Sequence, residues 1–174
     1  ETFDLVVSNP PFVVSPESRF QYRDGGRPLV DFCRSLVQEC PRHLNPGGLG
    51  EFLMHWVVRP GETWSDPVRK WVAGSGCDAL MIGFSLESPI AYAANWNRML
   101  LPRPELYAER VDRWTQHFQQ AGIERIASGG VVIRRAEGRS PWTVVFESPG
   151  GEPSPRAGDH IVRIIEARDW KDGA

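Results

Sequence analysis

Asn9, Pro10, Pro11 and Phe12 stand in a row near the start of the chain. Asn9 brings an amide whose oxygen accepts hydrogen bonds. The two prolines lock their own φ and force the residue before each of them into extended geometry, so the carbonyls between them point in a fixed direction. Phe12 adds a flat apolar face. An acceptor, a fixed carbonyl and a stacking ring within four residues can grip a planar polar group.

Other residue types capable of chemistry are more scattered. Cys33, Cys40 and Cys77 show no metal-ligand spacing and no even pairing, so they read as small buried apolar residues in a reduced setting. His43, His55, His117 and His160 are dispersed, and no metal site is expected. His55 and Trp56 fall late in a strand, where a buried, hydrogen-bonded histidine is expected. Gly47-Gly48-Leu49-Gly50 follows a helical stretch and leads into a strand, the reverse of a dinucleotide-binding turn, so it reads as a helix-ending turn. Gly74-Ser75-Gly76 likewise reads as structural. Arg134, Arg135 and Arg139 read as a solvated strand end rather than a nucleic-acid patch.

The elements that must position these residues follow from periodicity. Residues 3–8 form a continuous apolar run, as in a parallel strand buried on both faces, and Asn9-Pro10-Pro11 stops it. Residues 13–28 read as a polar loop. Leu29, Phe32, Cys33, Leu36, Val37 and Cys40 recur at helical spacing, predicting a helix over 29–44 ended by Asn45-Pro46-Gly47-Gly48. Strands are expected at 52–58 and 79–84, with a short helix between them capped by Thr63 or Ser65. A helical insertion at about 85–121 holds helices over 88–96 and 104–121. Residues 123–135 and 142–147 read as an antiparallel strand pair turned at Glu137-Gly138-Arg139. Residues 148–158 are rich in Pro, Gly and Ser, as in a linker. Residues 161–167 read as a last strand or as the lead into a further domain. Alternating strands and helices predict an α/β domain with a mainly parallel sheet.

Composition leaves this reading open and closes others. The chain has 174 residues, 41% hydrophobic and 24% charged, with a net charge of -2. That is an ordinary globular balance, with none of the basic excess of a protein built on nucleic acid. No apolar stretch is long enough to span a bilayer, and no leader precedes the first strand, so a cytoplasmic location is expected. The first residue is Glu1 and a strand begins almost at once, so the protein's true start is expected upstream.

Residues 3–12, Phe-Asp-Leu-Val-Val-Ser-Asn-Pro-Pro-Phe, resemble the fourth strand and its end in class I S-adenosylmethionine-dependent methyltransferases. The branch concerned carries an Asn/Asp/Ser-Pro-Pro-Tyr/Phe/Trp motif and includes N6-adenine, N5-glutamine and small-domain ribosomal RNA methyltransferases. The resemblance covers about the first 75 residues well. It implies the C-terminal half of a catalytic domain over 1–148, a partial Rossmann-like sheet with equivalents of strands four to seven. Residues 149–174 would be a linker and the start of a further segment.

The resemblance further implies methyl transfer to a planar nitrogen: an amine of an RNA or DNA base, or the amide of a protein glutamine. Asn9, Pro10, Pro11 and Phe12 would be the catalytic residues and Asn9 also a cofactor contact. The lone pair of such a nitrogen is delocalised, so acceptors on its N–H groups serve better than a strong base. The Asn9 oxygen and the Pro10 carbonyl would accept them, stabilising positive charge as it grows. Phe12, where Tyr is commoner, keeps the stacking face. Arg23, Asp24 and Arg27 would lie in the loop that covers substrate, and Trp96 of the insertion is a further candidate contact.

The main cofactor motifs of the family, a Gly-rich turn after the first strand and an acidic residue after the second, have no match in this chain. This chain alone is therefore expected to be inactive and to bind S-adenosylmethionine weakly or not at all. The strand at 3–8 would form a sheet edge that pairs with another copy or frays. The alternative is a catalytically inactive substrate- or nucleic-acid-binding module that kept the fold.

Overall fold

The computed structural model describes residues 1–16, 31–148 and 155–172. Among these residues five strands form one sheet: β1 (Phe3–Ser8), β2 (Leu44–Val58), β3 (Cys77–Glu87), β4 (Arg125–Arg135) and β5 (Thr143–Glu147), in the order β1-β2-β4-β3-β5. Helices α1 (Asp31–Glu39) and α2 (Asp66–Val72) lie in the links from β1 to β2 and from β2 to β3. Helices α3 (Pro89–Trp96) and α4 (Pro104–Gln120) form the insertion between β3 and β4, and α5 (Ala157–Asp172) closes the described chain. The expected α/β class holds.

The sheet is mixed rather than mainly parallel. β1 is parallel to β2 and β3 to β5, but β4 runs antiparallel to both of its neighbours. The last two strands do not form the expected hairpin, because β3 lies between them. β4 is held on both sides by long strands, so β5 cannot reach it and pairs at the outer edge of β3. The link between them passes over the start of β3, where Ala136 N–H donates to Gly76 and Ala79 N–H to the Trp142 carbonyl.

Strand alternation sends side chains to two faces. Phe52, Met54, Trp56 and Val58 of β2 point to one face and pack with Cys33 and Val37 of α1 and with Val68, Trp71 and Val72 of α2. Val57 and Ile126 point to the other, under Tyr92 and Ala93 of α3 and Val111, Trp114 and Phe118 of α4. Further along that second face, Leu80, Val132 and Val144 are covered by Ile161 and Ile164 of α5. Each such large side chain contributes roughly 1.5–3 kcal/mol by leaving water.

Several local expectations are corrected. β1 is not buried on both faces: Leu5 is 54% and Val7 66% exposed, since the strand is an edge and α1 covers only the Val6 side. The helix at 29–44 is α-helical only to Glu39, and Cys40–His43 is a 3-10 turn. Pro41 has no N–H to give to the α-helical ladder, which explains the switch. Asn45-Pro46-Gly47-Gly48 lies inside β2, as a bulge that shifts the pairing from Phe3 with Leu44 to Leu5 with Leu49. A Cβ on Gly48 would sit 2.8 Å from the Phe3 carbonyl oxygen, so only glycine fits there. Ser65 occupies the cap position of α2 without a capping bond, and Asp66 instead accepts the Thr63 N–H at 2.6 Å.

Residues 161–167 belong to a helix, not a strand. Ile161, Ile164 and Ile165 share one helical face at i, i+3 and i+4, and that face meets the sheet. Val13 and Val14 are core residues rather than exposed loop. The rest of the expected loop at 17–28, and residues 149–154 of the expected linker, lie outside the described residues.

Two of the arginines near the end of β4, Arg134 and Arg139, are also not a solvated strand end, whereas Arg135 is exposed. Arg134 donates to Asp78 at 2.7 and 2.9 Å, and Arg139 also pairs with Asp78, which is 1% exposed. Asp169 of α5 accepts from Arg134 at 2.6 Å, so the cluster ties α5 to the sheet. Arg135 donates to the Leu44 carbonyl at 2.7 Å. Burial alone would raise the Asp78 pKa, but the bonds from Arg139, Trp142 N–H and Arg134 outweigh it and hold it below the usual carboxylate range.

Candidate active site at the end of the first strand

Asn9 to Phe12 lie directly beyond the C-terminal end of β1, where open α/β sheets place their ligands. Asn9 is exposed, Pro10 buried, and Pro11 and Phe12 half-buried. The chain then dives into the core at Val13 and Val14. The Cys33 thiol of α1 lies 3.8 Å from the Pro11 carbonyl oxygen and supports the turn from one side.

From the other side, α3 holds it. Ser88 caps this helix by accepting the Ala91 N–H at 3.3 Å, and Pro89 fits its first turn. Tyr92 and Trp96 are four residues apart and therefore share a face. The buried Tyr92 hydroxyl accepts the Val14 N–H at 3.1 Å and lies 2.7 Å from Nδ1 of His55. His55 sits on the same face of β2 as Val57, opposite to Met54 and Trp56.

Four rings meet here. Phe12 and His55 have centroids 4.4 Å apart, Phe12 and Trp96 6.3 Å, His55 and Trp96 5.8 Å, and Tyr92 and Trp96 6.0 Å. Phe118 of α4 backs Tyr92 at 6.2 Å. Burial lowers the His55 pKa from 6.5 to about 4, so the imidazole is neutral at physiological pH. The site thus offers an exposed amide at Asn9, three residues before Phe12, and an aromatic wall that contains one neutral histidine.

The structure brings three of the residues noted in the sequence together: Phe12, His55 and Trp96. His55 is half-buried and hydrogen-bonded, as expected. Trp56 instead points to the opposite face, where its Nε1 donates to the Trp64 carbonyl at 2.6 Å. Arg23, Asp24 and Arg27 lie outside the described residues. Tyr92 was not legible as a site residue. Its one signal is the i, i+4 spacing to Trp96, and its partner His55 is 37 residues away in sequence.

Elsewhere, burial pushes the Cys33 thiol up to about 12 and Cys40 to about 11, as befits core residues rather than nucleophiles. A hollow of about 300 Å³ lined by Gln38, Pro41, Arg42, Trp71, Gly74 and Ser75 lies before β2 and β3 begin, at the other end of the sheet from the motif. Among the described residues no group of three His, Cys, Asp or Glu is placed to hold a metal, and no helix is long and apolar enough to cross a membrane.

No family model matches the chain. The release factor glutamine methyltransferase of Geobacter sulfurreducens is 42% identical over 59 residues, a match covering 28% of this chain and 21% of that protein. Among solved structures, a Haemonchus contortus phospholethanolamine N-methyltransferase 2, in complex with phosphomonomethylethanolamine and S-adenosylhomocysteine, overlaps at a TM-score of 0.41 and 14% identity, over 78% of this chain and 34% of its own. A Galdieria sulphuraria protein described as a sarcosine dimethylglycine methyltransferase overlaps at 0.38 and 16% identity, over 82% and 55%. The α/β assignment rests on the sheet itself and not on these overlaps. In sequence, and over that 59-residue stretch, the chain is similar to a methyltransferase named for glutamine.

Proposed function

We propose that this chain is the substrate-facing part of an S-adenosylmethionine-dependent methyltransferase that acts on a planar nitrogen. The carrying observation is that Asn9-Pro10-Pro11-Phe12 lies just past the end of β1, with Phe12 against His55 and Trp96. The local similarity to the glutamine methyltransferase supports the same reading. The acceptor is an amine of an RNA or DNA base or the amide of a protein glutamine.

Asn9 is exposed, so its oxygen is free of the core and able to accept an N–H of the acceptor group. The Pro10 carbonyl, in a backbone fixed by two prolines, accepts the second. Phe12 offers its face to the planar group, and Trp96, inclined at 73° to that ring, closes the edge and excludes water from one side. The cofactor, when bound, supplies an electrophilic methyl group on a sulfonium. Within this chain Asn9 is the residue at the motif that would touch it. Residues 1–174 alone are expected to bind it weakly and to transfer no methyl group.

The test is tritiated methyl transfer by the full-length protein to ribosomal RNA, DNA and release-factor protein. Wild-type protein is expected to label one of these, and Asn9→Ala to lose at least about a hundredfold in kcat. Absence of labelling with retained acceptor binding would replace this reading with a catalytically inactive binding module. For the cofactor expectation, micromolar binding of S-adenosylmethionine to residues 1–174 in titration calorimetry would overturn it.

A further inference from the structure

His55 enters the candidate site with one ring nitrogen already committed. Its Nδ1 lies 2.7 Å from the Tyr92 hydroxyl, and that oxygen also accepts the Val14 N–H at 3.1 Å. The direction of this bond depends on the tautomer; in the arrangement where the hydroxyl, the stronger acid of the two, donates, Nδ1 accepts. A neutral imidazole carries a single proton, which in that arrangement sits on Nε2. Tyr92 and Val14, on the Nδ1 side of the ring, are fully buried, whereas His55 keeps partial exposure and stacks on Phe12. The edge bearing Nε2 is the one turned away from Tyr92.

We propose that His55 is a specificity-determining residue that donates its Nε2–H to the acceptor atom beside the substrate's amino group, an amide oxygen or a ring nitrogen on the same trigonal carbon. The inference rests on the methyl-transfer reading for its context and adds the substrate edge that the site reads. The Asn9 oxygen accepts an N–H of that edge and His55 donates to its neighbour. This donor–acceptor pair is complementary to a primary amide or an aminopurine or aminopyrimidine edge. It is not complementary to an alkylamine, which has no acceptor beside its nitrogen. Burial supports the role, since it holds the His55 pKa down to about 4 and keeps the donor uncharged. Tyr92 is then a positioning residue, whose hydroxyl selects the tautomer and clamps the backbone two residues after the motif.

Two readouts on the full-length protein test this. The first is the histidine tautomer by long-range proton–nitrogen NMR, with His55 assigned through His55→Gln. Nε2–H is expected, changing to a mixture in Tyr92→Phe, and an Nδ1–H form in the wild type overturns the proposal. In the same spectra, adenosine or N-acetylglutamine methylamide should shift the His55 Nε2 resonance, and butylamine should not. No shift with either planar probe overturns the proposal, whether or not methyl transfer occurs. The second readout is kinetic, on whichever acceptor is labelled. His55→Phe keeps a ring against Phe12 but loses the donor, and kcat/KM should fall roughly tenfold to a hundredfold, mainly through KM. His55→Gln, which keeps a donor, should restore part of that loss. An unchanged kcat/KM in His55→Phe also overturns it. Failure of labelling by the wild type removes the methyltransferase reading alone and leaves the tautomer and probe tests standing.

Discussion

Phe12 and His55 stack with ring centroids 4.4 Å apart and planes inclined by 45°. This contact joins the four-residue motif at the end of β1 to the second strand. Because His55 is in turn bonded to Tyr92, the motif is braced against the inserted helices as well as the sheet. The conformation of the motif therefore depends on residues far from it in sequence.

The neutrality of His55 has a cost at acid pH. Its folded-state pKa of about 4 lies below the ordinary value of 6.5, so the unfolded chain takes up a proton between these values and the folded chain does not. Stability from this residue is complete above about pH 6.5 and is lost progressively as the pH falls toward 4. The loss approaches about 3 kcal/mol. Urea midpoints at pH 7, 5.5 and 4.5 should drop more steeply for the wild type than for His55→Phe, and parallel curves would contradict the assignment.

Asp78 is the buried centre of the ion cluster, and its removal leaves Arg134 and Arg139 with only the more exposed Asp169 as a shared partner. Asp78→Asn should destabilise the fold by about 3 kcal/mol or more. Asp169 is more exposed, so Asp169→Ala should cost much less overall while loosening α5. Chemical denaturation reads the first effect, and hydrogen exchange of the α5 amides the second. Equal effects of the two substitutions would mean that the cluster is not organised around Asp78. The low Asp78 pKa adds an acid-labile contribution, present above the unfolded value of about 3.9 and lost as the pH falls through the folded one.

Gly129 lets β4 pass close to its neighbours. A Cβ there would collide with the Ile82 carbonyl oxygen and lie 2.7 Å from the Trp56 ring. Neither the backbone of β3 nor a fully buried indole can give way cheaply. Gly129→Ala should cost about 3 kcal/mol, whereas Gly130→Ala, whose Cβ would meet only Phe84 at 3.7 Å, should be tolerated. Thermal unfolding of the two variants side by side checks this, and similar melting temperatures would refute it.

Among the described residues β1 is an edge strand with no pairing partner on its outer side, and it carries the exposed Leu5 and Val7. Such an edge pairs readily with a further strand. Residues 1–174 produced alone should self-associate as concentration rises, and Val7→Lys should reduce that association. Light scattering after size exclusion measures it, and a monomer at all concentrations counts against the expectation.

Local patterning by itself determined much of this protein. The motif at 9–12 with the strand before it, the short helix at α2 and the helices α3 and α4 were legible, since apolar periodicity, proline and caps act within a few residues. So was the burial of Cys33 and Cys40. Pairing across the sheet was a matter of tertiary structure: β4 lies between β2 and β3 because two long strands can satisfy both of its edges, and β5 pairs on the far side of β3. The same holds for 161–167, where three isoleucines fit a strand or a helix until the sheet face beneath them selects the helix. Arg134 and Asp78 are 56 residues apart, and Tyr92 and His55 37, so neither pair leaves a local trace. The residue types were present in the sequence, but only the packing of the insertion onto the end of the first strand placed Tyr92, His55 and Trp96 around Phe12. Hydrogen bonds and ring contacts act over a few ångströms, and distances that short between remote residues exist only once the chain has folded.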